Sequence, residues 1–143
     1  MMNQVKYFKK NGKLFFWTFV FLLLIIIDQF SKSLVVRPFK NFYFAFSLPL
    51  PKWLMFAFYG LVLIFIIKYC LKHFKNFVFA QILAWLFIVA GAVSNIGERM
   101  VLGYVRDYIY IWTGVFNLAD GYIIVGILIL LSYHKKTDDP SKN

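Results

Sequence analysis

The sequence holds one cysteine, Cys70, in 143 residues. No internal disulfide can form, and no group of thiolates can hold a structural zinc. Histidine is as scarce: His73 and His134 stand apart, each read as a polar helix-end residue and not a ligand. No metal-ligand set is visible and no cofactor is expected. Charge is sparse too, at 15% of residues with only six acids, against about 25% in a soluble domain. The sequence also lacks H-E-x-x-H, G-x-S-x-G and a Gly-x4-Gly-Lys loop, which removes support for zinc-peptidase, serine-hydrolase and P-loop chemistry. No internal repeat or low-complexity block stands out.

What is present is apolar. Hydrophobic residues make up 62% of the chain and aromatics 22%, with a mean hydropathy of +0.71. One small domain has too little interior to hide that much apolar surface from water. Soluble globular and disordered classes are excluded, and a single polytopic membrane domain over residues 1–143 is expected. The net charge of +10 does not point to nucleic acid, because the basic residues punctuate apolar runs and form no basic face.

Four apolar runs predict four transmembrane helices, at about 14–36, 53–71, 77–96 and 116–133. Each is near the roughly 20 residues a spanning helix needs, and a span must satisfy its own backbone hydrogen bonds. The first run has a basic start and a small-x-small triplet at Ser31–Ser33, as a cleaved signal peptide does. Its long core and the three following spans favour a retained helix.

Basic residues set the orientation. With the N-terminus inside, the inner segments carry ten: Lys6, Lys9, Lys10, Lys13, Lys68, Lys72, Lys75, Lys135, Lys136 and Lys142. The outer ones carry Lys32, Arg37, Lys40, Lys52, Arg99 and Arg106. Both termini are therefore expected in the cytoplasm. Asp28, Glu98, Asp107 and Asp120 then collect on the outer side, leaving Asp138 and Asp139 in the inner tail. Tyr43, Trp53, Tyr104, Tyr108, Tyr110 and Trp112 gather at the same boundary, as an interfacial belt would. Acids at a membrane are costly and tend to mark sites.

Asp28 and Lys32 are four apart and can pair on one helix face. Asn41, taken alone, is a turn residue. Asn95, Glu98 and Arg99 lie on one side of the third helix end, with Glu98 as a partner for Arg99. Asp107 has an ion pair with Arg106 or Arg99 as its plain role. Asn117 and Asp120 share a face if helical. Asp120 is either a helix N-cap or an acid aimed into the bundle, and the residues leave both readings open. Asp107 and Asp120 can face each other across a short loop. Two carboxylates in a low-dielectric cleft cannot both ionise easily, so one pKa rises. Such a pair supplies a base and an acid at one pH, which is aspartic peptide hydrolysis.

The blocks D-Q-x-x-K, N-x-x-x-A-F-S, S-N-x-x-E-R, G-x-V-x-D and F-N-L-A-D occur in an order that resembles signal peptidase II, the lipoprotein signal peptidase family, over nearly the whole chain. The resemblance implies a multi-pass aspartic endopeptidase of the bacterial cytoplasmic (inner) membrane, with its active site on the extracytoplasmic side. It implies cleavage of diacylglyceryl-modified prolipoproteins just before the lipidated cysteine. By motif position Asp107 and Asp120 correspond to the catalytic aspartates. Asn41, Asn95, Arg99 and Asn117 correspond to residues lining the substrate cleft, and Asp28, Lys32 and Glu98 to structural support. The implied partners are a lipid-modified prolipoprotein and membrane lipids, with no nucleic acid and a monomer as default.

The chain departs from the family pattern in several places. Ser94 stands for a usual glycine, Glu98 for a usual aspartate, and Tyr43 for a glycine that shapes a local turn. The stretch from Lys32 to Asn41 and the spacing from Asp107 to Asp120 are both short. The expected fold is thus an all-α membrane protein with short outer loops and a reduced or absent β-cradle. The alternatives are a catalytically inactive relative that binds lipidated or apolar peptides, and a small four-helix transporter, which would want an ionisable residue near the midplane.

Overall fold

The computed structural model describes residues 2–42, 50–73, 77–112 and 114–137, with side chains described within 12–133. Tyr43 and its turn, Lys75, Asp138, Asp139 and Lys142 lie outside the described residues, as do the side chains of Lys6, Lys9 and Lys10.

Four helices dominate the described residues: α1 (Met2–Ser33), α2 (Lys52–His73), α3 (Phe79–Leu102) and α4 (Leu118–Thr137). Three are long and apolar enough to cross a membrane, namely Gly12–Ser33 of α1, α2 and α3. A 22-residue span rises about 33 Å at 1.5 Å per residue, against a hydrocarbon core of about 30 Å. The fourth apolar segment, Leu118–Tyr133, is shorter. Large apolar side chains point outward along these helices, among them Phe15, Phe19, Ile26, Phe65 and Leu131. Lipid is the solvent that tolerates such a surface.

The expectation of an all-α chain needs an addition. Among the described residues four three-residue strands are present: β1 (Phe39–Asn41), β2 (Val105–Asp107), β3 (Ile109–Ile111) and β4 (Gly114–Phe116). β1 pairs antiparallel with β2, placing Phe39 opposite Asp107 and Asn41 opposite Val105. β3 and β4 pair as a hairpin, with the exposed Trp112 at φ 50° at its turn. β structure is therefore short, not absent. The reason is local. α1 ends at Ser33, the chain turns through residues 34–37, and Pro38, which has no N–H to donate to a helix, leads into β1, which meets the strand that follows α3. Gly103, in the left-handed region at φ 81°, ends α3 by donating its N–H to the Arg99 carbonyl at 3.0 Å, a helix stop that favours glycine.

α3 continues to Leu102, past the expected end near residue 96. Asn95, Glu98 and Arg99 therefore sit within its last two turns and are held rigidly. α3 and α4 pack backbone to backbone. A Cβ at Gly91 would strike the Ala119 carbonyl, and one at Gly126 would lie 2.6 Å from the Ala84 carbonyl. Only small residues allow this approach, which is how membrane helices associate when lipid offers no hydrophobic drive. The contact sets the first turn of α4 against α3, and that turn carries Asp120.

Candidate active site

The site begins with the helix ends. Asn117 caps α4: its Oδ1 accepts the Asp120 N–H at 3.1 Å. Asp120 answers by accepting the Asn117 N–H on Oδ2 at 3.1 Å. This reciprocal box satisfies two donors a helix start would otherwise leave open. The cap position belongs to Asn117, and Asp120 is its partner one turn in. The other oxygen of Asp120 is turned elsewhere, accepting from Asn95 Nδ2 at 2.8 Å. The N-cap reading of Asp120 is thus corrected to partner of the cap, while its other oxygen is the acid aimed into the bundle.

Asp107 ends β2 and is buried, at 1% exposure. Its Oδ2 accepts from Asn41 Nδ2 at 2.9 Å and its Oδ1 from Asn117 Nδ2 at 2.6 Å. The ladder explains Asn41, since pairing with β2 sets β1 beside Asp107. Asn117 is the bridge: its side chain donates to Asp107 and accepts from the backbone of Asp120. Burial pushes the Asp107 carboxyl above the ordinary range, and the negative charge of Asp120 adds to this. Hydrogen bonds from Asn41 and Asn117, and the charge of Lys32, oppose the rise.

Behind the two aspartates lies a buried charged cluster. Lys32 is fully buried, and its Nζ reaches Asp28 Oδ2 at 2.9 Å, Glu98 Oε2 at 2.9 Å and Asn95 Oδ1 at 2.8 Å. Three donors meet three acceptors. A buried ammonium is tolerable only with such pairing. The bond from Lys32 occupies the Asn95 carbonyl, which leaves the Asn95 amide nitrogen to face Asp120. Asp28 does more than pair with Lys32. Its Oδ1 accepts the Ala119 N–H at 2.9 Å, so a residue of α1 caps the first turn of α4. A carboxylate is favoured at that end of a helix. Ser94, the residue in place of the family's glycine, donates to Asp28 Oδ2 at 2.6 Å and accepts from Gln29 Nε2 at 2.9 Å. That departure is absorbed into the network.

Two expected ion pairs are replaced. Glu98 was expected to pair with Arg99; it instead meets Lys32 and the Arg106 Nε. Consecutive helix residues do not face each other, a signal already present in the sequence. Asp107 was expected to pair with Arg106 or Arg99; it is held by two amides, and Arg106 points to Glu98 and to Gln29 Oε1 at 3.2 Å. Alternation along a strand separates neighbours 106 and 107 onto opposite faces. Arg99 is buried, with its guanidinium 5.8 Å from the centre of the Tyr59 ring on α2, within cation–π reach. Tyr59 is a site neighbour that sequence reasoning missed, because nothing local in the apolar run of α2 marks it. Among the described residues no group of three or more His, Cys, Asp or Glu could hold a metal ion.

The arrangement resembles known proteins in sequence and in shape. The family model for signal peptidase (SPase) II matches residues 20–135. A lipoprotein signal peptidase of Fusobacterium nucleatum is 30% identical over 145 aligned positions, covering 86% of this chain and 88% of that protein. One from Streptococcus pneumoniae is 32% identical, covering 78% of this chain and 87% of its own. A bacterial membrane enzyme solved in meso at 2.3 Å shares the fold with a TM-score of 0.68 and 19% identity, covering 89% of this chain and 92% of that one. The matched family model takes in all five motif blocks, from Asp28 to Asp120, along with most of the chain, and the chain belongs to the signal peptidase II family.

Proposed function

We propose that this chain removes signal peptides from lipid-modified prolipoproteins, with Asp107 and Asp120 as the catalytic pair. The observation that carries the reading is the Asn117 bridge, which joins both aspartates while each keeps its own amide donor, Asn41 or Asn95. Two carboxylates held in one cleft share a proton more readily than they both ionise. The ionised one takes a proton from a water. The water oxygen attacks the scissile carbonyl carbon. The protonated carboxyl then donates to the leaving nitrogen as the C–N bond breaks. Asp107 is the more buried of the two and Asp120 the more open, so Asp120 is the carboxylate nearer to an entering peptide. Asn41, Asn95 and Asn117 orient the acids. Arg99, within cation–π reach of Tyr59, adds positive charge at the cleft.

The chain is placed as a multi-pass protein of the bacterial inner membrane, with both termini in the cytoplasm and the site at the extracytoplasmic boundary. The motivation is the gathering of Asp28, Glu98, Asp107 and Asp120 at one end of the helices, with more lysines at the other. A lipid anchor on the substrate suits this depth, since the acyl chains stay in the bilayer while the peptide reaches the carboxylates. The non-catalytic binder is disfavoured because both carboxylates are present and fully hydrogen-bonded by donors that orient them.

The test is a mobility-shift cleavage assay on a diacylglyceryl-modified prolipoprotein in detergent or lipid. Wild type is expected to cleave. Asp107→Asn and Asp120→Asn are each expected to lose at least about 10³-fold in rate while still inserting. Near-normal cleavage by either inserted variant would remove that residue from the pair.

A further inference from the structure

Outside the catalytic pair, Arg106 is a charged side chain whose bonds lead to the start of α4 and whose backbone adjoins Asp107. Arg106 precedes Asp107 on β2 and faces away from it. Its Nε bonds to Glu98 Oε1 on α3, and its second terminal nitrogen bonds to Gln29 Oε1 on α1 at 3.2 Å. Two hydrogen-bonded paths lead from it to the start of α4. One runs through Glu98, Lys32 and Asn95 to Asp120. The other runs through Gln29, Ser94 and Asp28 to the N–H of Ala119, beside Asp120. Asp107 is its covalent neighbour.

The charges of the cluster balance. Asp28 and Glu98 carry two negative charges, and Lys32 and Arg106 carry two positive ones. Lys32 alone leaves one buried negative charge over. The longer Glu98 side chain bridges the gap, because one oxygen holds Lys32 and the other holds Arg106.

We propose that Arg106 is a positioning residue for the peptidase reaction, pinning β2 to α1 and α3 and neutralising the buried cluster so that the aspartate pair titrates in its working range. The inference rests on the reading of Asp107 and Asp120 as the catalytic pair. The other titratable groups around the pair are Asp28 and Lys32 from α1, Tyr59 from α2, Glu98 and Arg99 from α3, Tyr108 after β2 and Tyr122 on α4. Lys40, opposite Arg106 in the ladder, is exposed and lies over the Tyr104 ring at 5.1 Å, so it does not replace the Arg106 charge at Glu98.

Removing Arg106 leaves net negative charge behind the pair, which favours protonated carboxyls and raises their pKa values. Removing Glu98 leaves net positive charge and lowers them. The experiment is a pH–rate profile of prolipoprotein cleavage for wild type, Arg106→Gln, Arg106→Lys, Glu98→Gln and the double variant. Arg106→Gln is expected to lower kcat about tenfold with KM within about twofold, and to move the profile up by about half to one pH unit. Glu98→Gln is expected to move it down, and the double variant to restore the wild-type position. Arg106→Lys keeps the charge and is expected to keep the profile in place. A brace without an electrostatic role would lower activity in all of these and move no profile. An unmoved profile in whichever of Arg106→Gln and Glu98→Gln inserts therefore overturns the proposal. If wild type does not cleave at all, the peptidase reading fails instead. An infrared titration of the Asp107 carboxyl in the same variants then decides the charge effect without turnover.

Discussion

The two halves of α3 obey different physics. In the half that the proposed orientation makes the outer one, Ser94, Asn95 and Glu98 are buried and joined to α1, α4 and β2 by side-chain hydrogen bonds and ion pairs. In its inner half, Ala84 and Ile88 meet α4 at Gly126 through bare backbone and small apolar atoms. Lipid surrounds both halves, and it rewards neither apolar burial nor loose packing. The inner half is therefore held by close approach. The outer half is held by paired charge, which excludes alternatives, since an unmatched buried polar group is expensive. The half that supports the proposed catalytic pair is the one whose geometry is specified by directional bonds.

Lys32→Met is the hardest blow to the outer half. It takes away the ammonium between Asp28 and Glu98 and leaves the Asn95 carbonyl without that donor. Breaking a buried ion pair on one side costs about 3–5 kcal/mol, so unfolding in detergent is expected to shift by that order and cleavage to be lost. A variant as stable as wild type would show that the cluster contributes nothing to holding the helices.

Gly91→Ala and Gly126→Ala probe the seam at two heights. Each added methyl meets a carbonyl of the facing helix, and overpacking of this kind costs about 1–3 kcal/mol. The stability losses are expected to be similar, but the activities are expected to part. Gly91 faces Ala119, next to Asp120, whereas Gly126 faces Ala84, far along the helix. Cleavage should fall with Gly91→Ala and stay near wild type with Gly126→Ala, measured below the melting transition of both. Equal losses of activity would mean that the two halves are not separable.

The smallest effect concerns the titration of Asp107. The negative charge of Asp120 is one cause of its raised pKa. Asp120→Asn removes that cause, so Asp107 should lose its proton at a lower pH than in wild type. The shift should be within about one pH unit, because burial, the larger cause, remains. Carboxyl infrared bands of Asp107, identified by their loss in Asp107→Asn, would follow it. A shift to higher pH would contradict the sign.

Some of this was legible before the fold. The Asp28–Lys32 pair was readable because four residues make one helical turn, and the turn is a local object. The gathering of acids at one boundary was readable because hydrophobic runs and basic flanks place residues along the membrane normal. The resemblance blocks pointed to Asp107 and Asp120 as the residues to watch. Arg106 was not legible as a node. Its partners, Glu98 and Gln29, come from different helices, and a residue's place on a two-stranded ladder is known only when the partner strand is. The same holds for Asp28, whose bond to the Ala119 N–H spans 91 positions of chain.

The sequence by itself determined the solvent of this protein, its helical spans and the identity of its candidate acids. These follow from composition, run length and spacing, which act over a turn or a span. Tertiary structure decided which donor meets which oxygen. It made Asn117 and not Asp120 the cap, gave Asp107 two amides in place of an arginine, and passed Glu98 from Arg99 to Arg106. The physical reason is that hydrogen bonds and buried charges are short-ranged and directional, so their partners are chosen only when separate helices and strands are brought together.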